Sequence, residues 1–179
     1  MDRAFEIARR VEAERFRRRR AALVPQLQAL LPDSISVTLL DRDQAQACKE
    51  AWSASRARRG RAPSQWFFGQ ATGPDDGTST ITAGFATIAR TISPHQVWLW
   101  LGGLEPQCVE ASSEDVLLHW YQLAALGDYD LGWHDGAEAS GVWLTRHSHQ
   151  WKNAVAYTWD MEAWNDPWEA AAERVFGQG

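Results

Sequence analysis

The sequence predicts an α+β fold: a largely antiparallel sheet of about six strands, with about four helices packed mainly on one face. Three observations predict it. Gly- and Pro-free stretches rich in helix formers open the chain and recur towards its middle and end. Short apolar or alternating runs lie between them, separated by Gly, Pro and Asp clusters. These runs follow one another directly, without the strand–helix alternation of a doubly wound parallel sheet. At 179 residues the chain fits a single domain, 1–179. Within it, residues 1–31 form a basic helical segment kinked at Pro25, and residues 34–179 form the mixed body.

Each element has its own signal. Residues 2–23 are rich in Ala, Arg and Glu, good helix formers, and Phe16, Leu23, Leu27 and Leu30 mark a buried stripe. Pro25 should kink that helix or start a new one. Ile35, Val37 and Leu39 alternate with Ser34, Ser36 and Thr38, which predicts a half-buried strand. A second helix follows, with Asp41 or Asp43 as N-cap and Gly60 as stop. QWFFGQAT, the turn GPDDG and the Thr/Ile-rich run from Thr78 to Ile92 read as a hairpin. Val97 to Gly103 is a short apolar strand, and the Pro106–Cys108 stretch reads as a plain loop. Ser112 and Asp115 form a capping box for a helix stopping at Gly127. YDLGW, GVWLTRHSH and NAVAYTW are strands. The last helix is capped by Asp166, carries Pro167 at its first position and Glu169 in the box, and stops at Gly177.

The charge is unevenly placed. Residues 1–70 hold fourteen Lys/Arg and eight Asp/Glu, a net +6. Residues 71–179 hold four against fifteen, a net −11, together with nine of the eleven Trp. No apolar run approaches the roughly 20 residues of a membrane helix. The first twenty residues are too charged for a signal peptide's apolar region, so the expected location is cytoplasmic. Cys48 and Cys108 are expected to be two reduced thiols. Arg- and Ala-rich, Lys-poor usage suggests a GC-rich, bacterial genome.

Catalytic signatures are sparse. There is no nucleophile elbow, Walker loop or Rossmann glycine pattern, and no cofactor or metal is expected. The weak candidates are His147 and His149, which share a face of one strand, with Asp135 as a possible third member of a hydrolytic or metal site. If Trp133 sits opposite Trp143 in a simple hairpin, parity turns His134 away from that pair. Arg15, Arg17, Arg18, Arg19 and Arg20 form a basic patch that could meet phosphates, with Arg56, Arg58, Arg59 and Arg61 as a second cluster. No aromatic residues interleave with the arginines as single-strand binding would require.

The tryptophans carry the remaining signal. Buried Trp commonly anchors cores, but nine in 109 residues are many for one small core. Asp128, Asp130, Asp135, Asp160, Glu162 and Asp166 lie near them in sequence. An aromatic centre ringed by carboxylates suits docking onto a basic protein surface. The expected partner-binding set is Trp98, Trp100, Trp133, Trp143, Trp164, Asp160 and Glu162. The sequence therefore points to a protein that acts by binding, of the inhibitor or immunity type that masks a partner. The alternatives are a hydrolase or metal-dependent enzyme using the histidines, nucleic-acid association through the arginines, and a homodimer joining basic helix to acidic body.

Overall fold

A computed structural model describes residues 3–32, 35–58, 63–72, 75–102, 107–135 and 140–177. The chain forms α1 (Arg3–Leu30), β1 (Val37–Leu39), α2 (Arg42–Arg58), β2 (Ser64–Phe68) and α3 (Thr78–Ala89). It continues through β3 (Gln96–Leu101), β4 (Gln107–Ser112), α4 (Ser113–Leu118) and α5 (Trp120–Leu126). It ends with β5 (Asp130–His134), β6 (Gly141–Trp151), β7 (Ala154–Trp164) and α6 (Trp168–Phe176). The described strands make one seven-stranded sheet of order β1-β4-β3-β5-β6-β7-β2, antiparallel at every pairing. The α+β class predicted by the sequence is the class observed.

Side chains alternate across a sheet, so the register sorts residues onto two faces. On the first face Val97, Leu99, Leu131, Trp133, Val142, Leu144, Trp159 and Met161 are all buried. α3, α5 and α6 add Ile81, Phe85, Trp120 and Trp168 to this core. Phe85 is its hub, with ring centroids 5.8 Å from Trp120, 5.7 Å from Trp133 and 6.1 Å from Phe176. The second face carries α2 over part of its width. Reciprocal bonds start that helix: Gln44 N–H donates to Asp41 Oδ1 and Asp41 N–H donates to Gln44 Oε1, both at 2.9 Å. Asp41, not Asp43, is thus the cap, while the expected stop Gly60 lies outside the described residues.

α1 is one continuous helix through Pro25, which has no N–H to donate to the Ala21 carbonyl. Its second half docks through Leu23 and Leu27. Arg20 reaches the edge strand β1, where its guanidinium donates to the Leu40 carbonyl and, at 3.0 Å, to that of Leu39.

Several local expectations differ from the structure. Thr78–Ala89 is a helix and not half of a hairpin. Its Ile81, Phe85 and Ile88 recur at helical spacing and are all buried, so packing of that stripe overrides the β-propensity of Thr and Ile. The turn residues Gly73 and Pro74 lie outside the described residues, but Asp75 and Asp76 carboxylates accept from the N–H groups of Gly77 and Thr78 and lead into the helix. Gln107–Ser112, which overlaps the expected Pro106–Cys108 loop, is strand β4, paired on both sides. Ser112 makes no side-chain capping bond, and the following helix breaks at His119 into α4 and α5. The last helix begins at Trp168, one residue beyond Pro167, which follows a cis peptide bond.

Candidate functional site

The β5–β6 register decides where the candidate residues fall. Trp143 sits opposite Gly132, and Trp133 opposite Val142. The expected Trp133–Trp143 pairing is therefore off by one, and one residue of slip exchanges faces. Trp133 points into the core, fully buried between Phe85 and Trp168, and cannot touch a partner. The other six residues of the expected binding set share the second face: Trp98, Trp100, Trp143, Asp160, Glu162 and Trp164. Trp164 is 1% exposed and serves as packing there.

α2 divides this face. Over β3, β4 and β5 it buries Cys48 near His134, with Sγ 3.8 Å from Nε2, and Ala45 near Cys108. The hydrogen bond with the neighbouring Cys108 thiol, and then burial, push the Cys48 thiol far above its ordinary range, so neither chemistry nor exposure favours a thiolate there. Over β6, β7 and β2 the face lies open. Gln65, Phe67, Trp143, Thr145, His147, Asp160 and Glu162 line a groove of about 130 Å³. Phe67 stands 72% exposed at its rim. Glu162 accepts a 2.9 Å bond from Gln65 Nε2. A second cavity of about 220 Å³ continues from Trp143 towards α2, lined by Trp52, Trp100, Gly102, Asp130, Gly132 and Trp143. No lysine or arginine is among the described residues lining either cavity. Asp130, Asp160 and Glu162 thus give the surface a negative field.

The catalytic candidates do not assemble. His147 Nε2 lies 3.1 Å from Asp160 Oδ2, and His149 Nε2 lies 2.8 Å from Thr158 Oγ1. His134 shares their face, against the parity expectation, because of the register shift. It is opposite Gly141, six residues and roughly 20 Å along the strand from His147, so distance keeps the three apart. Asp135 is tied to Ser140 at that same far end and turns to the core face. Among the described residues no group of three or more His, Cys, Asp or Glu is placed to hold a metal ion.

Asp135 instead organises a cluster that the sequence did not disclose. Oδ1 accepts from Trp168 Nε1 at 2.9 Å and lies 2.9 Å from His95 Nε2, while Ser140 Oγ donates to Oδ2 at 2.8 Å. Ser113 Oγ is 3.4 Å from His95 Nδ1, so a serine, a histidine and an aspartate follow one another in space. Protonation argues against a nucleophile here. Nδ1 also faces the Ser93 carbonyl at 2.9 Å, so each ring nitrogen has an acceptor within hydrogen-bond distance. Burial lowers the His95 pKa, but the bonds to Ser93 and Asp135 outweigh it and leave the value above the ordinary 6.5. With Nδ1 turned to the Ser93 carbonyl, which can only accept, that nitrogen is not free to take a proton from Ser113. The buried Ser113 hydroxyl accepts from the His95 backbone N–H at 3.1 Å, and its own N–H donates to the His95 carbonyl. The cluster fastens the start of β3 to α4, β5 and α6.

The basic patch is largely self-satisfied. Arg17 and Arg18 both pair with Glu14 at 3.0 Å, and Arg20 holds the β1 carbonyls. Arg15 and Arg19 also have interactions within the chain. Arg59 and Arg61 of the second cluster lie outside the described residues. No helix among the described residues is long and apolar enough to cross a membrane. Compared with protein-family models, curated proteins and solved structures, the chain matches none significantly.

Proposed function

We propose that this protein acts by binding, docking a positively charged protein surface on the open half of its second sheet face and masking it as inhibitors and immunity proteins do. The observation that carries the reading is the groove between β2 and β6. An exposed Phe67 stands over a floor of Trp143 and Thr145, flanked by Asp160 and Glu162. An apolar anchor beside carboxylates without lysine or arginine in the described lining is the surface expected to select a basic partner. The cytoplasm is the compartment in which this masking would operate.

The test compares wild type with Phe67→Ala and with the double variant Asp160→Asn/Glu162→Gln in capture from lysate of the native host at moderate salt. A single protein held near equal amount by wild type and lost from both variants supports the reading. Truncation of a central anchor typically costs about 2 kcal/mol or more, roughly 30-fold in Kd. Retention by all three forms removes the groove as the docking surface. Should a second copy of the chain be the partner, sedimentation shows a dimer that dissociates in the charge variant. Co-purifying nucleic acid that washes off steeply with salt points instead to α1.

A further inference from the structure

We infer that the cavity between α2 and the sheet is a site for an alkylated ammonium group, such as a methylated lysine side chain or a small quaternary ammonium compound. Its walls are aromatic and nearly orthogonal. Trp52 descends from α2, with its ring 81° from Trp100 at a centroid distance of 4.5 Å and 83° from Trp143 at 6.1 Å. Asp130 supplies one carboxylate, held in place by the Trp143 indole N–H and by Thr145 Oγ1 at 3.4 Å. Glycines let the walls close in. A Cβ on Gly132 would sit 2.9 Å from Trp52 Nε1, and one on Gly102 would sit 2.6 Å from Asp130 Cβ. What remains is a space of about 220 Å³, below the roughly 300–1,000 Å³ of drug-sized sites and suited to a head group.

The chemistry of the lining selects the ligand. Aromatic rings attract cations through the negative potential of their faces, and the carboxylate adds a full charge. A primary ammonium brings three N–H donors and a guanidinium five. The cavity offers one carboxylate, which already accepts two protein donors, so an unmodified lysine or arginine finds no second side-chain acceptor among the residues that line it. Alkylation removes those donors and replaces them with methyl groups that pack on the rings while the charge remains. This inference rests on the same face serving as the docking surface; Trp143 lines both cavities, but Trp52, Trp100 and Asp130 line only the one beside α2, and Phe67 and Asp160 only the groove.

The experiment is calorimetric titration of the full chain with tetramethylammonium, Nε-trimethyllysine, lysine and the neutral isostere 3,3-dimethyl-1-butanol, with indole N–H shifts followed by NMR. Binding of both alkylated cations at least tenfold tighter than lysine and the isostere is the expected result. Asp130→Asn, which keeps an acceptor for Trp143, should weaken the cations about tenfold while circular dichroism stays unchanged. Equal binding of cation and isostere, no binding of either cation to folded wild type, or full affinity in Asp130→Asn would each overturn the inference. A trimethyllysine peptide binding much tighter than the free amino acid would identify a protein source; equal affinity would identify a small molecule. Phe67→Ala separates the two readings, because it should abolish partner capture and leave cation binding intact. Loss of the cage with capture retained refutes the cage alone.

Discussion

Removing the Asp135 carboxylate tests whether the Ser113–His95–Asp135 cluster is structural. Asp135→Ala leaves the Trp168 indole N–H without its acceptor at a residue 1% exposed, and the Ser140 hydroxyl without its acceptor at one 0% exposed. A buried orphaned donor costs about 1–3 kcal/mol, and a hydroxyl that can rotate towards another acceptor costs about 1. The His95 side chain is 33% exposed, so its ion pair adds at most about 1 kcal/mol after solvent screening. The expected loss is about 2–5 kcal/mol, read as a lower urea midpoint with unchanged slope. Asp135→Asn keeps one acceptor oxygen for Trp168 and turns an amide NH2 towards Ser140 Oγ, which can rotate to accept from it, so it should cost less, about 1–2 kcal/mol. It also tests the pH dependence. The folded-state pKa of His95 is raised, so its stabilising contribution is complete below about pH 6.5 and disappears as pH rises through the raised value. The stability gap between wild type and Asp135→Asn should therefore be wider near about pH 5.5 than near about pH 9. An Asp135→Ala loss under about 0.5 kcal/mol, or a gap that widens with rising pH, would refute the reasoning.

Further outcomes follow from the packing. Phe85→Ala removes the ring shared by Trp120, Trp133 and Phe176 and should cost about 3–5 kcal/mol in chemical denaturation. Arg20→Ala uncovers two edge-strand carbonyls and should cost about 1–3 kcal/mol, whereas Arg18→Ala breaks only an exposed helix pair and should stay within about 0.5 kcal/mol. Both cysteines are buried and the Cys48 thiol is pushed up, so neither should react with a thiol-specific disulfide reagent until the chain unfolds. Fast labelling of the native protein would contradict that placement.

What the sequence disclosed, and what it hid, divides along the range of the interactions. Val109, Glu110, Ala111 and Ser112 alternate apolar and polar, but Cys108 is buried next to Val109, so the alternation in β4 covers only four residues and follows a Pro-containing run. The Ile81, Phe85 and Ile88 spacing was legible, but β-branched composition pointed the other way, and only the docking of α3 on α6 and β2 decides between them. Strand identity and same-strand parity are local, so Trp98 with Trp100 was legible as a pair sharing a face, whereas Asp160 and Glu162 lie beyond the NAVAYTW run, in the part of β7 that the sequence does not mark.

Which pairs meet, and which face stays open, is set from further away. Trp52 descends onto Gly132, and a side chain at 132 would collide with its ring. Trp143 sits opposite 132 instead of 133, and this register places Trp133 in the core and Trp143 in the groove, beside Trp52. It also brings Asp130 opposite Thr145, beside the Trp143 indole, although in sequence Asp130 was only one acid among six near tryptophans. The aromatic–acidic surface was readable as composition because its residues are unusual. Its geometry depends on one helix landing on one glycine eighty residues away, and no periodicity within either segment encodes that contact.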